Sequence, residues 1–130
     1  MSLEQDFALA AIDWLAGDAG LMARVNGVFH RMPARIAAPF VVLDDVLATD
    51  WSTKDRPGRE VRLAFAIRDG SDDAAPAADI AAALEARLAA MPSGGTGYRL
   101  VNLIPLRSRT ARIDSLWLVT LDYRARLLQP

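Results

Sequence analysis

Hydrophobic positions recur along the chain first at helical and then at strand spacing. From Leu3 to Ala16, the residues Leu3, Phe7, Ala10, Ala11 and Trp14 fall on one helical face, Ser2 stands where a first-turn cap belongs, and Gly17 follows the last periodic position. This spacing predicts an amphipathic helix. A second, short helical turn is expected over Ala19–Val25, ended by Asn26-Gly27, a pair that tolerates positive φ. Val28–Met32 reads as a short strand, Pro33 and Pro39 bracket a loop, and Phe40–Leu47 reads as a strand that leaves the core at Asp44-Asp45. Asp50–Arg59 is polar and turn-rich, which predicts a projecting loop or a long hairpin tip. Glu60–Asp69 alternates cleanly: Val61, Leu63, Phe65 and Ile67 face one way, and Arg62, Ala64, Ala66 and Arg68 the other.

Ser71-Asp72-Asp73 offers capping side chains to an alanine-rich helix that runs to about Met91, with Pro76 tolerated in its first turn. Ile80, Leu84, Leu88 and Met91 form its buried stripe, and Pro92 with Ser93–Gly97 stops it. Two last strands are expected, Tyr98 to about Leu106 and roughly Ile113–Leu127, joined across Arg107–Arg112. On the second of them Trp117, Val119, Leu121, Tyr123 and Ala125 share a face. This order of elements predicts one α+β domain over residues 1–130, with a largely antiparallel sheet packed by the N-terminal helix and the central alanine-rich helix.

Composition narrows the chemistry. The chain has 130 residues, 52% of them hydrophobic, enough to bury roughly two thirds of its unfolded surface around a single core. The absence of cysteine excludes disulfides, thiolate metal sites and thiol nucleophiles, and a single histidine, His30, excludes sites built from several imidazoles. No run of residues is apolar enough to span a bilayer, and the acidic start Met1–Phe7 is unlike a signal peptide, so a cytoplasmic protein without a membrane partner is expected. Arg outnumbers Lys 14 to 1, as a GC-rich coding sequence produces without selection on the protein.

The remaining candidates do not assemble into an enzyme. His30 has no nucleophile or orienting partner in its vicinity, and Asp44 and Asp45, as adjacent strand residues, point to opposite faces. Ser93–Gly97 lacks the Gly-Lys-Ser/Thr ending of a phosphate loop and follows a helix instead of preceding one. Ser52-Thr53-Lys54 does not have the Ser-x-x-Lys spacing of acyl-transfer enzymes. No catalytic residue, cofactor or metal is therefore expected. Trp51 stands out in its polar loop and either folds back onto the domain or docks into a partner.

Charge becomes informative once divided by position. The net charge is −1, yet residues 1–85 hold fourteen acids and eight bases (net −6), while residues 86–130 hold two acids and seven bases (net +5). Arg107, Arg109 and Arg112 cluster in the last connection. Three readings stay open: a nucleic-acid contact, a head-to-tail subunit interface in which a basic flank meets an acidic one, or a solvated edge that discourages strand pairing.

Longer strings carry a resemblance. Asn26–Phe29 with Ala38–Leu43, then Asp50-Trp51-Ser52-Thr53-Lys54 leading into Gly58–Val61, and finally Gly97–Leu103, resemble the phage tail terminator or tail completion proteins, including those of gene transfer agents. The Asp50–Lys54 segment is the most specific part, and the similarity extends over nearly the whole chain. The resemblance implies a hexameric ring that caps the head-proximal end of a tail tube and offers its other face to the head connector. Its partners would be further copies of itself, the tail tube protein and the connector or stopper protein, with DNA passing through without specific binding. The protein would assemble in the cytoplasm and end in the tail or neck of the particle. Asp50, Trp51, Ser52, Thr53, Lys54, Arg107, Arg109 and Arg112 are the residues expected at subunit or tube interfaces. A head-completion or stopper protein of the same particle is the alternative, and a small nucleic-acid-binding module a more distant one.

Overall fold

The computed structural model describes residues 2–130. Two substantial helices, α1 (Leu3–Ala16) and α3 (Ala75–Ala89), and a four-residue turn of helix, α2 (Ala19–Met22), accompany six strands: β1 (Val28–Phe29), β2 (Phe40–Asp50), β3 (Gly58–Asp69), β4 (Gly94–Gly95), β5 (Tyr98–Ile113) and β6 (Leu116–Leu128). The strands form one sheet in the order β1-β2-β3-β6-β5-β4, antiparallel throughout except for the β1–β2 pair. The α+β class and the largely antiparallel sheet are as the periodicity predicts.

Helix α1 starts where Ser2 Oγ accepts a hydrogen bond from Gln5 N–H at 3.0 Å, and ends at Gly17. Helix α3 is capped differently. Its N-cap residue is Ala74, which has no side chain to offer, and Asp73 Oδ1 instead accepts from Ala75 N–H at 2.8 Å. Both helices cover one face of the sheet. Phe7, Leu15, Ile80, Leu84 and Leu88 are buried there against Leu63, Phe65, Leu121, Tyr123 and Leu127. Phe7 meets Tyr98 edge-on with ring centroids 5.3 Å apart, and Phe65 meets Tyr123 likewise at 6.0 Å. Met91, expected in the buried stripe of the helix, lies beyond its end and only partly buried, whereas Ala77 and Ala81 are buried.

The opposite face is covered at one end only. Phe40, Val42 and Ala66 form a second, smaller apolar cluster under Phe29, Ile36, Ala38 and Leu118. Asn26 braces this covering segment, donating from Nδ2 to the Ala37 carbonyl and from its backbone N–H to the Pro39 carbonyl, both at 2.8 Å, beside a cis Ala38–Pro39 bond. Toward the other end, Arg62, Ala64, Asp122 and Arg124 stand on a sheet face with no layer over it.

Several boundaries differ from the sequence expectation. The strand expected over Val28–Met32 is reduced to Val28–Phe29, and the helical turn over Ala19–Val25 to Ala19–Met22. Strand β2 continues to Asp50 and β3 begins at Gly58, so the projecting tip shrinks to residues 51–57. The largest correction concerns Arg107–Arg112, which is not a connection. It is the outer part of β5, paired with β6 from Arg107↔Asp122 to Arg112↔Trp117, and the true turn is Asp114-Ser115. Both turn residues are left-handed (φ 52° and 66°), as a two-residue hairpin turn requires. Alternation is lost over this stretch because the inward residues Ser108 and Thr110 look across a shallow cleft at the N-cap Ala74 and at Ala78 and Ala82 of α3, with Glu85 beside them, and this side of the helix offers no large apolar side chain to pack against.

Candidate interaction surfaces

The tip between β2 and β3 is tied by its own polar groups. Ser52 Oγ donates to Asp50 Oδ1 at 2.7 Å and accepts from Gly58 N–H at 3.1 Å, while Trp51 N–H donates to the Gly58 carbonyl at 3.0 Å and Thr53 N–H to the Arg56 carbonyl at 2.8 Å. Gly58 is buried, and a Cβ there would meet the Trp51 carbonyl oxygen at 2.6 Å and the Leu127 carbonyl oxygen at 2.8 Å, so only glycine lets the tip sit this close to β6. Trp51 packs against its own domain in the single chain. It folds back, half-buried, with the Arg126 guanidinium 5.2 Å from its ring centroid, and Arg126 is itself held by Glu60 at 3.2 Å. Ser52, Thr53 and Lys54 stay exposed at the end of the tip.

The arginines of β5 divide between the two faces. Arg107 pairs with Asp122 across the strands on the uncovered face, and Arg109 stands exposed on the same side. Arg112 turns to the helix side, where its Nη1 donates to the carbonyls of Ser71 and Asp72 at 3.2 Å each and its guanidinium lies 5.0 Å from the Trp117 ring centroid. Asp44 and Asp45 are exposed, as expected, and Asp44 is the extra residue of a β-bulge between Leu43 and Asp45. His30 makes a structural contact, with the Gln5 side-chain amide 3.2 Å from its Nε2.

The fold does not bring the two groups of candidate residues together. In the shared register, Asp50 lies level with Leu127 of β6 and Arg112 with Trp117, a separation of about 30 Å of strand length. They sit at opposite ends of the sheet and on opposite sides of it. Sequence reasoning also missed how open the two sides are. Strand β1 covers only Val41 and Val42 of β2, and β4 covers only Tyr98 and Arg99 of β5, so most of each long outer strand has no neighbour on one side. The signal that was available is the brevity of any apolar run able to pair with them.

Among the described residues no group of three or more His, Cys, Asp or Glu side chains is placed to hold a metal ion, and no helix is long and apolar enough to cross a membrane. Two phenols in the core are perturbed by their surroundings. Burial pushes the phenol of Tyr98 up, and burial together with the Glu85 carboxylate pushes that of Tyr123 up to about 12.

Comparison with protein-family models matches residues 10–128 to the tail completion protein gp17 family. The chain belongs to that family. Comparison with curated proteins returned no match. Among solved structures, this tail completion family member is similar to a chain of the virion of a native gene transfer agent particle, with 25% identity, a TM-score of 0.85 and coverage of 98% of both chains. The family is one of structural components of virion tails, which suits a surface that presents strand edges and charged side chains.

Proposed function

We propose that this tail completion family member is a tail terminator of a gene transfer agent or related phage particle: a ring, of six copies by the family expectation, that caps the head-proximal end of the tail tube and joins it to the head connector. The observation that carries this reading is the end-to-end likeness to a chain of a gene transfer agent virion, covering 98% of each. The separation of the candidate residues supports it. A ring needs two different surfaces on each protomer, one to give and one to receive, and the tip at Asp50–Lys54 and the arginine run at Arg107–Arg112 lie far apart on one sheet.

Assembly of the protein in the cytoplasm and its incorporation at the tail or neck follow from this role. Native mass spectrometry of concentrated protein and of purified tails tests it: a ring of fixed copy number is expected, and a chain that stays monomeric and is absent from tails overturns it. Trp51→Ala, which frees the tip from Arg126, and Arg109→Glu are both expected to reduce the yield of joined particles. Unchanged assembly in both variants would remove these two surfaces from the interface.

A nucleic-acid contact is favoured by one observation, the arginines on the uncovered face, Arg62, Arg107, Arg109, Arg124 and Arg126. It predicts retention on DNA that falls steeply between low and physiological salt. A head-completion role in the same particle is separated from the terminator role by whether the chain contacts the tube end or the portal side.

A further inference from the structure

Exposed apolar side chains are concentrated on the two open edges. Among the described residues, six of the eight large hydrophobic residues most exposed to solvent are on them: Val46 (38%) and Leu47 (59%) on β2, and Val101 (45%), Ile104 (39%), Leu106 (41%) and Ile113 (47%) on β5. An open edge carrying apolar side chains is what soluble proteins ordinarily avoid, because its unpaired N–H and C=O groups template another strand. Part of β5 is protected in the usual way. Pro105 cannot donate, and register shifts at Leu100/Asn102 and Pro105/Arg107 break the edge near its middle. Arg107–Ile113 beyond them is a regular, proline-free run of seven residues, and Asp44–Asp50 of β2, which opens on its bulge residue Asp44 and is regular from Asp45, is a proline-free run of the same length.

We propose that these two runs are the halves of one joint between copies of this chain: Asp44–Asp50 of one copy pairs with Arg107–Ile113 of the next and continues the sheet from protomer to protomer. Three observations select this occupant. The edges are oppositely charged: Asp44, Asp45 and Asp50 stand on one, and on the other Arg109 is exposed between Arg107, which pairs with Asp122, and Arg112, which turns to the helix side. A two-fold contact of like edges would set acid against acid or arginine against arginine. The strand directions also agree. Three antiparallel steps separate β2 from β5, so they run oppositely within a protomer, and a rotation brings β5 of one copy beside β2 of the next in the favoured antiparallel sense; because Asp45–Asp50 lies level with Leu100–Arg107 inside a protomer, the ring axis must be inclined to the strands, as in a tilted barrel, to supply the stagger that sets Asp44–Asp50 against Arg107–Ile113. Because the edges lie on opposite sides of the sheet, the contact is heterologous and repeats until the ring closes. The inference rests on the ring proposed above and specifies the strands through which it closes.

The cysteine-free sequence makes the test direct. Leu47→Cys is combined in turn with Ile104→Cys, Arg109→Cys, Thr110→Cys and Ile113→Cys. Each full-length variant is checked by circular dichroism, assembled, oxidised and run on a non-reducing denaturing gel. At least one β5 partner is expected to give a ladder of covalent multimers, while Leu9→Cys with Met32→Cys, two exposed apolar positions off the edges, gives none. Leu47→Cys alone should not give covalent dimers; if it does, like edges pair and the joint is wrong. Rings seen by native mass spectrometry without a β2–β5 ladder overturn the joint and leave the ring standing. A chain that never assembles overturns both.

Discussion

Trp14 and Arg87 hold the two long helices together by exchanging hydrogen bonds. The indole N–H of Trp14 donates to the Arg87 carbonyl, Arg87 Nε donates to the Trp14 carbonyl, both at 2.7 Å, and the guanidinium lies 3.4 Å from the indole ring centroid. Arg87→Ala removes a charge-assisted bond and a cation–π contact together, so a loss of about 1–3 kcal/mol is expected in urea denaturation. Nothing in the sequence marks this pair, since the residues are 73 positions apart and the arginine reads as an ordinary surface charge. Tyr123 supplies a second test. Its folded-state pKa is raised to about 12 from 10.0, so its contribution to stability is complete below pH 10 and is lost as pH rises from 10 through 12, where the unfolded chain ionises first. Tyr123→Phe is expected to flatten that alkaline limb in denaturation curves measured across this range. At Gly58, by contrast, the outcome is local: Gly58→Ala presses a methyl group on two backbone carbonyls, and faster proteolysis within residues 51–57 is the expected sign.

At the scale of elements, legibility follows what each element packs against. Helix α1 and strand β3 were readable almost to the residue because each has one face in the core, and burial imposes the period. The outer half of β5 was not readable, since it projects along the small side chains of α3 and both faces carry polar residues. Its arginines therefore looked like a loop. The hairpin turn was hidden for a related reason: Asp114-Ser115 lacks the glycine that usually announces left-handed backbone, and a fold that has already aligned thirteen residue pairs of β5 and β6 can hold a strained turn between them. Ser115→Gly is expected to stabilise the protein by about 0.5–1 kcal/mol, measured as a higher urea midpoint with an unchanged slope. The candidate residues themselves were identified by sequence strings and not by periodicity, and geometry then separated them into a tip and an edge.

For the whole molecule, the charge split acquires a spatial meaning. The acidic Asp44, Asp45 and Asp50 are on one open side of the sheet and the arginines of β5 on the other, so a total of −1 conceals a polar object. Assembly driven this way is salt-sensitive: raising ionic strength from about 0.01 M to 1 M, which shortens the Debye length from about 30 to 3 Å, is expected to slow ring formation in light-scattering kinetics more than it weakens rings already formed. The one-sided layering has a consequence of another kind. Helices cover one face of the sheet, while on the other Asp45, Leu47, Arg62, Arg107 and Asp122 line a shallow hollow that reaches across the long strands. In the ring proposed above, copies joined edge to edge would present this face and the helix face on opposite sides of the assembly. The uncovered face is rich in guanidinium groups, which in the proposed ring would suit a passing polyanion guided without being gripped at any one sequence, while α3 gives the opposite face a largely alanine exterior with few handles for unintended partners.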